Sequence, residues 1–224
     1  MHSGLQRLVS NSAMTLALNT AILQATALSF SYPDKPLVSD FTADFSPGIT
    51  LITGGDGSGK STLLRLLAGS LPAHSGQLLV NGIDLQVQRQ AYKANVFWVD
   101  PREDAFDQIT ALAFFQLQRS TYPNFADAVL ADMTSGLGLR EHLHKQLFML
   151  STGSKRKVFL AAAFAASTAV TLLDEPFAAL DAASTGFLIQ QLKSEQSSRN
   201  RSWVLADYSA PEGVHLAQVI NLGD

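Results

Sequence analysis

The sequence predicts an α/β domain built on a mainly parallel sheet, and three observations carry that reading. Short apolar runs alternate with longer stretches of helical periodicity along most of the 224 residues, the rhythm of strand–helix–strand folding. One such run, Ile49–Thr53, passes through a glycine-rich loop straight into a helical stretch. Between about residues 101 and 150 strand signals vanish and only helix-compatible segments remain, which reads as a helical insertion between strands of the core sheet.

Each element can be justified in order. Met1–Thr20 reads as a poorly ordered extension, with Met14 as an alternative start. Met14–Ala27 is fairly apolar and ends in the small-x-small pattern Ala25-Thr26-Ala27, like a cleavage site. Asn19 and Gln24 interrupt it, Arg7 is a weak basic lead, and Ile22–Phe30 is wanted as a first strand. Residues 21–224 then form a single domain. Pro47-Gly48 introduces the buried strand Ile49–Thr53, and helix Lys60–Ala68 follows with Leu63, Leu64, Leu66 and Leu67 on its apolar face and Gly69 as a C-terminal cap. Gln77–Val80 and Ile83–Leu85 flank Asn81-Gly82, which suits a type I′ hairpin turn.

Val96–Val99 is another buried strand, cut off by Asp100-Pro101. Within the insertion, Ala111–Arg119, Phe125–Thr134 and Leu139–Met149 tolerate helical periodicity. The alternation then resumes with helix Lys155–Ala166, strand Val170–Asp174, helix Ala182–Gln196 and strands Trp203–Ala206 and Val219–Leu222.

Composition narrows the function classes. Hydrophobic residues make up 46% and charged ones 16%, ample for a buried core and too apolar for a disordered chain. A net charge of -3 and a pI near 5.9 leave no field favouring nucleic acid or an anionic membrane surface. There is no cysteine, so disulfides and thiolate metal sites are excluded. The longest apolar stretch, Val158–Leu173, falls short of the roughly 20 residues of a spanning helix and runs into Asp174-Glu175.

The chemistry lies in the loop Gly54-Gly55-Asp56-Gly57-Ser58-Gly59-Lys60-Ser61-Thr62, which matches the phosphate-loop pattern at every fixed position. Its glycines let backbone amides converge on an anion, and the following helix adds the positive end of its dipole. Lys60 can reach the β- and γ-phosphates of ATP, and the Ser61 hydroxyl can ligand Mg2+. The apolar run Val170–Asp174 delivers Asp174 to the C-terminal edge of the sheet, where ligands bind in open α/β folds. Asp174 can there hold a magnesium-bound water, while Glu175 projects toward the γ-phosphate and can position and deprotonate water. Without the glycine loop, an Asp-Glu pair after an apolar run would be an ordinary strand end.

At this point the sequence resembles the ATP-binding-cassette (ABC) family. Leu150-Ser151-Thr152-Gly153-Ser154 resembles the family signature LSGGQ, and the basic run Lys155-Arg156-Lys157 follows it. Ala179-Leu180-Asp181 looks like the D-loop after the catalytic glutamate, and Tyr32 matches the aromatic that stacks on adenine. The resemblance runs from about Ile22 to the C-terminus. It implies a P-loop NTPase core, an N-terminal antiparallel β part and a helical subdomain insertion. It also implies two such domains packed head to tail with ATP between them, Ser151 and Gly153 of one facing the phosphate loop of the other, and Asp181 near the same junction. A separate integral-membrane permease, docked near Asp100 and the insertion, would make the chain a peripheral protein of the cytoplasmic membrane face. Nucleic acid is not expected as a partner.

Two positions depart from the family pattern at the γ-phosphate. Asp100 stands where a Gln usually ends the strand, and Asp207-Tyr208 stands where a His usually contacts the γ-phosphate. Asp100 can still ligand magnesium, and Tyr208 can donate one hydrogen bond. His215, seven residues on, reads as a surface histidine. Thr152 and Ser154 also depart from the signature. The expectation is intact nucleotide binding with turnover slow for the family. A degenerate cassette that binds ATP as a regulatory switch, a non-transport ABC ATPase and a small P-loop kinase are the alternatives. The kinase leaves the signature and Asp174-Glu175 unexplained.

Overall fold

The computed structural model describes residues 21–33 and 35–223; the expected extension at Met1–Thr20, with its alternative start, lies outside them. The elements run β1 Leu23–Tyr32, β2 Lys35–Phe45, β3 Gly48–Thr53, α1 Lys60–Leu67, β4 Ser75–Val80, β5 Ile83–Asp84, α2 Arg89–Ala94 and β6 Val96–Phe97. Then come α3 Ala111–Thr121, α4 Asp127–Gly136, α5 Thr152–Ala165, β7 Val170–Asp174, α6 Ala182–Glu195, β8 Ser202–Ala206 and β9 Gln218–Asn221.

Two sheets divide the strands. The parallel one has the order β6-β7-β8-β3-β9, and the antiparallel one the order β2-β1-β4-β5. This is the mainly parallel α/β core with an antiparallel N-terminal part that the sequence implied. Every residue of β7 and of β8 is buried, which explains their unbroken apolar runs: a strand covered on both faces has no polar side to show.

Successive residues feed opposite cores. Leu51, Leu173, Trp203 and Leu205 pack with α5 and the inserted helices, whereas Ile52, Leu172 and Val204 pack with α1 and the antiparallel sheet. Asn81 and Gly82 both have positive φ, 49° and 79°, as the hairpin turn between β4 and β5 requires.

Two expectations are corrected. The strand predicted over Val96–Val99 stops at Phe97, because β7 offers partners only to Val96 and Phe97 and the chain then turns out of the sheet. Leu139–Met149 is not a helix but two short 3₁₀ turns, Arg140–His142 and Leu147–Met149. Its backbone is used elsewhere. Leu147 N donates to Ile109 O at 3.0 Å, and Lys145 O and Leu143 O accept from Ala111 and Leu112 at the start of α3. This pairing with a distant segment overrides local propensity.

Trp203 is a packing centre of the sheet's insertion-facing side. Its indole is fully buried, 4.4 Å from the Phe164 ring, and its Nε1 donates to Glu195 Oε2 at 3.1 Å. Glu195 also pairs with Arg201 at 3.0 Å. Trp203→Ala should cost about 3–5 kcal/mol of unfolding free energy, read by urea denaturation; a loss below about 1 kcal/mol would remove Trp203 from this role.

Candidate functional site

The site is built on the end of β3. Past Thr53 the chain enters the loop with Gly59 at φ 102°, a conformation that side chains rarely adopt, and a Cβ there would stand 3.0 Å from Leu37. At Gly54 the constraint is a close approach instead: a Cβ would meet Ser58 Oγ at 2.4 Å and Gly223 O at 2.8 Å. The loop thus curls between β2 and the C-terminal segment. Lys60 is buried and its Nζ donates to Gly54 O at 2.6 Å and Gly55 O at 2.9 Å.

A cleft of about 410 Å³ lies over the loop, within the range of small-molecule sites. Gly55 through Thr62 form its floor, and Tyr32, Lys35, Leu37, Arg102, Glu175 and Tyr208 form its walls. Tyr32 stands at the end of β1, 41% exposed and edge-on to Phe30 at 4.9 Å, so much of its ring is open to a flat ligand. Lys35 Nζ donates to Gly57 O at 3.0 Å.

Asp174 ends β7 and is buried. Burial pushes its carboxyl above the usual carboxylate range, and the neighbouring Ser61 hydroxyl opposes that rise. Its Oδ1 has no hydrogen-bond partner. A buried, unsatisfied carboxylate oxygen beside a hydroxyl fits a hydrated divalent cation. Among the described residues no cluster of three or more His, Cys, Asp or Glu could hold a metal. A cation here would take most of its ligands from water and from the phosphates of a bound nucleotide, as magnesium usually does.

The next residue, Glu175, has φ 45°, a strained conformation for a residue with a side chain, fixed by its N–H to Ala206 O at 2.8 Å. Arg156 from α5 reinforces the strand end, donating to Asp174 O at 3.3 Å and to Glu175 O.

Tyr208 reaches the loop from beyond β8. Its phenol donates to Asp56 Oδ1, and its ring lies 4.2 Å from Lys60 Nζ. The hydrogen bond to Asp56, with burial and neighbouring carboxylates, raises the phenol to about 12, so it stays protonated at neutral pH.

Six predicted site residues are outside the lining of this cleft: Gly54 and Asp174 lie directly behind it, and Ser151, Gly153, Asp181 and Asp100 are placed elsewhere. Ser151 is the N-cap of α5, its Oγ accepting from Ser154 N at 3.1 Å. Gly153 packs against the turn after Glu175, where a Cβ would stand 2.2 Å from Ala179 O. Asp181 caps α6 through Ser184 N at 2.8 Å and pairs with Lys157 at 2.5 Å, contacts that hold its carboxyl below the usual range. Asp100 lines a neighbouring groove with Trp98 and Leu117, and its Oδ1 accepts from Arg102 N at 2.9 Å. Within one chain these residues have structural partners.

Sequence reasoning missed Lys35, Leu37 and Arg102. Lys35 and Leu37 belong to β2, which has no outstanding strand signal of its own. Arg102 had one available clue, its place just beyond a strand end at the ligand-binding edge of the sheet.

Gly153→Ala should destabilise the fold by about 1–3 kcal/mol, since α5 and the Ala179 turn must separate. Thermal unfolding checks this, and an unchanged midpoint would show that the turn yields freely.

The chain is similar to known proteins in sequence and in fold. A family model described as "ABC transporter" matches residues 38–178. The molybdenum import ATP-binding protein ModC of Saccharophagus degradans is 36% identical over 158 residues, covering 69% of this chain but 44% of the relative, less than half its length. The cytochrome c biogenesis ATP-binding export protein CcmA of Pseudomonas fluorescens is 32% identical over 166 residues, 73% of this chain and 78% of the relative. A solved ATP-binding subunit of an ABC transporter superposes with a TM-score of 0.75 at 20% identity, over 84% of this chain and 79% of that one, a likeness of fold. With the phosphate loop, the Asp174-Glu175 strand end and the antiparallel sheet in the arrangement described, the chain belongs to the ABC transporter family and has the fold of its ATP-binding subunits.

Proposed function

We propose that this chain binds and hydrolyses ATP to power a separate integral-membrane permease, working as a head-to-tail homodimer with two ATP molecules at the interface. The observation that carries the reading is the convergence of Lys60, Ser61 and Glu175 on one cleft, with the orphaned Asp174 Oδ1 beside Ser61. Tyr32 would stack on the adenine, the loop amides and Lys60 would bind the phosphates, and Glu175 would orient and deprotonate the attacking water. Ser61 and Asp174 would hold Mg2+, which when bound neutralises phosphate charge. Lys60 would stabilise charge developing on the γ-phosphate, once released from the carbonyls of Gly54 and Gly55.

The dimer reading rests on what Ser151, Gly153 and Asp181 do not do. They lie outside the cleft of their own chain, yet the exposed Ser151 caps a helix N-terminus, where backbone N–H groups favour phosphate. For the permease, the supporting feature is the groove of about 440 Å³ lined by Trp98, Asp100, Phe106, Leu117 and Thr121, with Leu117 43% exposed. Association with that permease would place the chain peripherally on the cytoplasmic membrane face; among the described residues no helix is long and apolar enough to cross a membrane. The net charge of -3 supports the exclusion of nucleic acid as a partner.

Slow turnover is part of the proposal. Tyr208 holds Asp56 and covers Lys60, so a nucleotide must displace a local contact before the lysine is free. The same contact favours a second reading, a cassette that binds ATP as a switch with little hydrolysis.

Glu175→Gln should retain ATP binding while single-turnover hydrolysis falls about 10²–10⁴-fold. The variant should also sediment as a dimer with saturating ATP and as a monomer without it; a monomer in both conditions would overturn the head-to-tail reading. Tyr208→Phe removes the hydroxyl contact to Asp56. If that contact limits catalysis, the variant's single-turnover rate rises severalfold; if the hydroxyl serves the chemistry, the rate drops. An unchanged rate removes this loop as the limiting element.

A further inference from the structure

Asp100 and Arg102 divide their roles in a way that their order in the sequence does not suggest. Asp100 O accepts from Glu103 N at 2.9 Å, which closes a β-turn with Pro101 and Arg102 at its centre. Asp100 Oδ1 accepts from Arg102 N at 2.9 Å. The carboxylate is therefore directed to its own turn, and the turn presents Arg102 to the nucleotide cleft.

Three cations line that cleft, and two are already engaged. Lys35 Nζ is bonded to Gly57 O, and Lys60 Nζ to Gly54 O and Gly55 O with the Tyr208 ring beside it. The Arg102 guanidinium has no hydrogen-bond or ion-pair partner among the described residues. It lines the same cleft as Ser61 of the floor and Glu175 of the wall. Asp56, Asp174, Glu175 and Asp207 all lie in or beside this cleft, and their negative charge disfavours a terminal phosphate. Tyr208, where the family has a histidine, stays neutral at pH 7. Beside the magnesium that would accompany the nucleotide, Arg102 is the uncommitted cation of the cleft, and a guanidinium fork matches phosphate oxygens bidentately.

We propose that Arg102 binds the γ-phosphate in cis and makes this chain discriminate ATP from ADP. This rests on the nucleotide reading of the cleft. An arginine aimed at the terminal phosphate strengthens the triphosphate complex, and ADP offers no oxygen at that place. During hydrolysis the same guanidinium stabilises negative charge on the departing phosphoryl group.

The test is isothermal calorimetry of the full chain with Mg-ATP and with Mg-ADP, for the wild type, Arg102→Ala and Arg102→Lys. Arg102→Ala should weaken ATP by roughly ten- to hundredfold, the range of a lost charge-assisted hydrogen-bond pair, while ADP changes less than about twofold. Arg102→Lys should recover part of the loss, since charge returns without the fork. An unchanged ratio of ATP to ADP affinity in Arg102→Ala overturns the assignment, as does an equal loss for both nucleotides, which would mark a packing role. A wild-type chain that binds neither nucleotide would instead overturn the nucleotide reading on which the assignment rests.

Discussion

Strand β3 is the constraint on which the site depends. It is paired on both sides, with β8 and with β9, so its position along the sheet cannot slip without breaking two ladders. Its last residues anchor the neighbouring strand ends as well. Ile52 O accepts from Asp207 N at 3.1 Å, Thr53 O accepts from Leu222 N at 2.9 Å, and Gly223 O accepts from Gly55 N at 3.1 Å. The phosphate loop, the segment carrying Tyr208 and the C-terminal segment are therefore registered against one another by backbone hydrogen bonds. Side-chain chemistry is then placed by a rigid frame.

The charge pattern of the cleft follows from that frame. Parallel strands end together, so the acidic residues that follow them gather at one edge. Asp174, Glu175 and Asp207 stand there, and burial raises Asp174 and Asp207 above their usual range. Among the described residues the edge carries an excess of carboxylates around a lysine held by carbonyl oxygens. Such a site is poorly disposed toward a free anion alone and better toward an anion that arrives with a divalent cation. Strain is stored at the same place, in the positive φ of Glu175 and Ala179. The Ala179 turn touches Gly153 at the head of α5, which links the Asp174-Glu175 strand end mechanically to the segment Leu150–Ser154.

The two cores give these parts different mechanical neighbours. Helix α1 and the antiparallel sheet pack on one face of the parallel sheet and fix the phosphate loop together with the wall that Tyr32, Lys35 and Leu37 provide. The inserted helices pack on the other face through α5, whose first turn carries Ser151 and Gly153.

The sequence by itself determined the phosphate loop, the Asp174-Glu175 strand end and most of the strand–helix order, the strand Lys35–Phe45 and the helix Arg89–Ala94 excepted. Each is a contiguous run whose local spacing is its geometry: four residues between Gly54 and Gly59 curl in only a few ways, and an apolar strand must deliver its last residue to the sheet edge. Residues brought in from far along the chain were only partly legible. Tyr208 meets Asp56 across 152 positions, and Lys35, Leu37 and Arg102 line the cleft from strands and turns with no motif of their own. Tertiary structure alone decided that Leu139–Met149 would give its amides and carbonyls to a distant segment rather than to a helix, and that the turn at Asp100 would lie where Arg102 lines the cleft. Hydrogen bonds between distant segments carry no periodic trace in the chain, because the partner that satisfies a backbone group is chosen only when the sheet and its helices have packed.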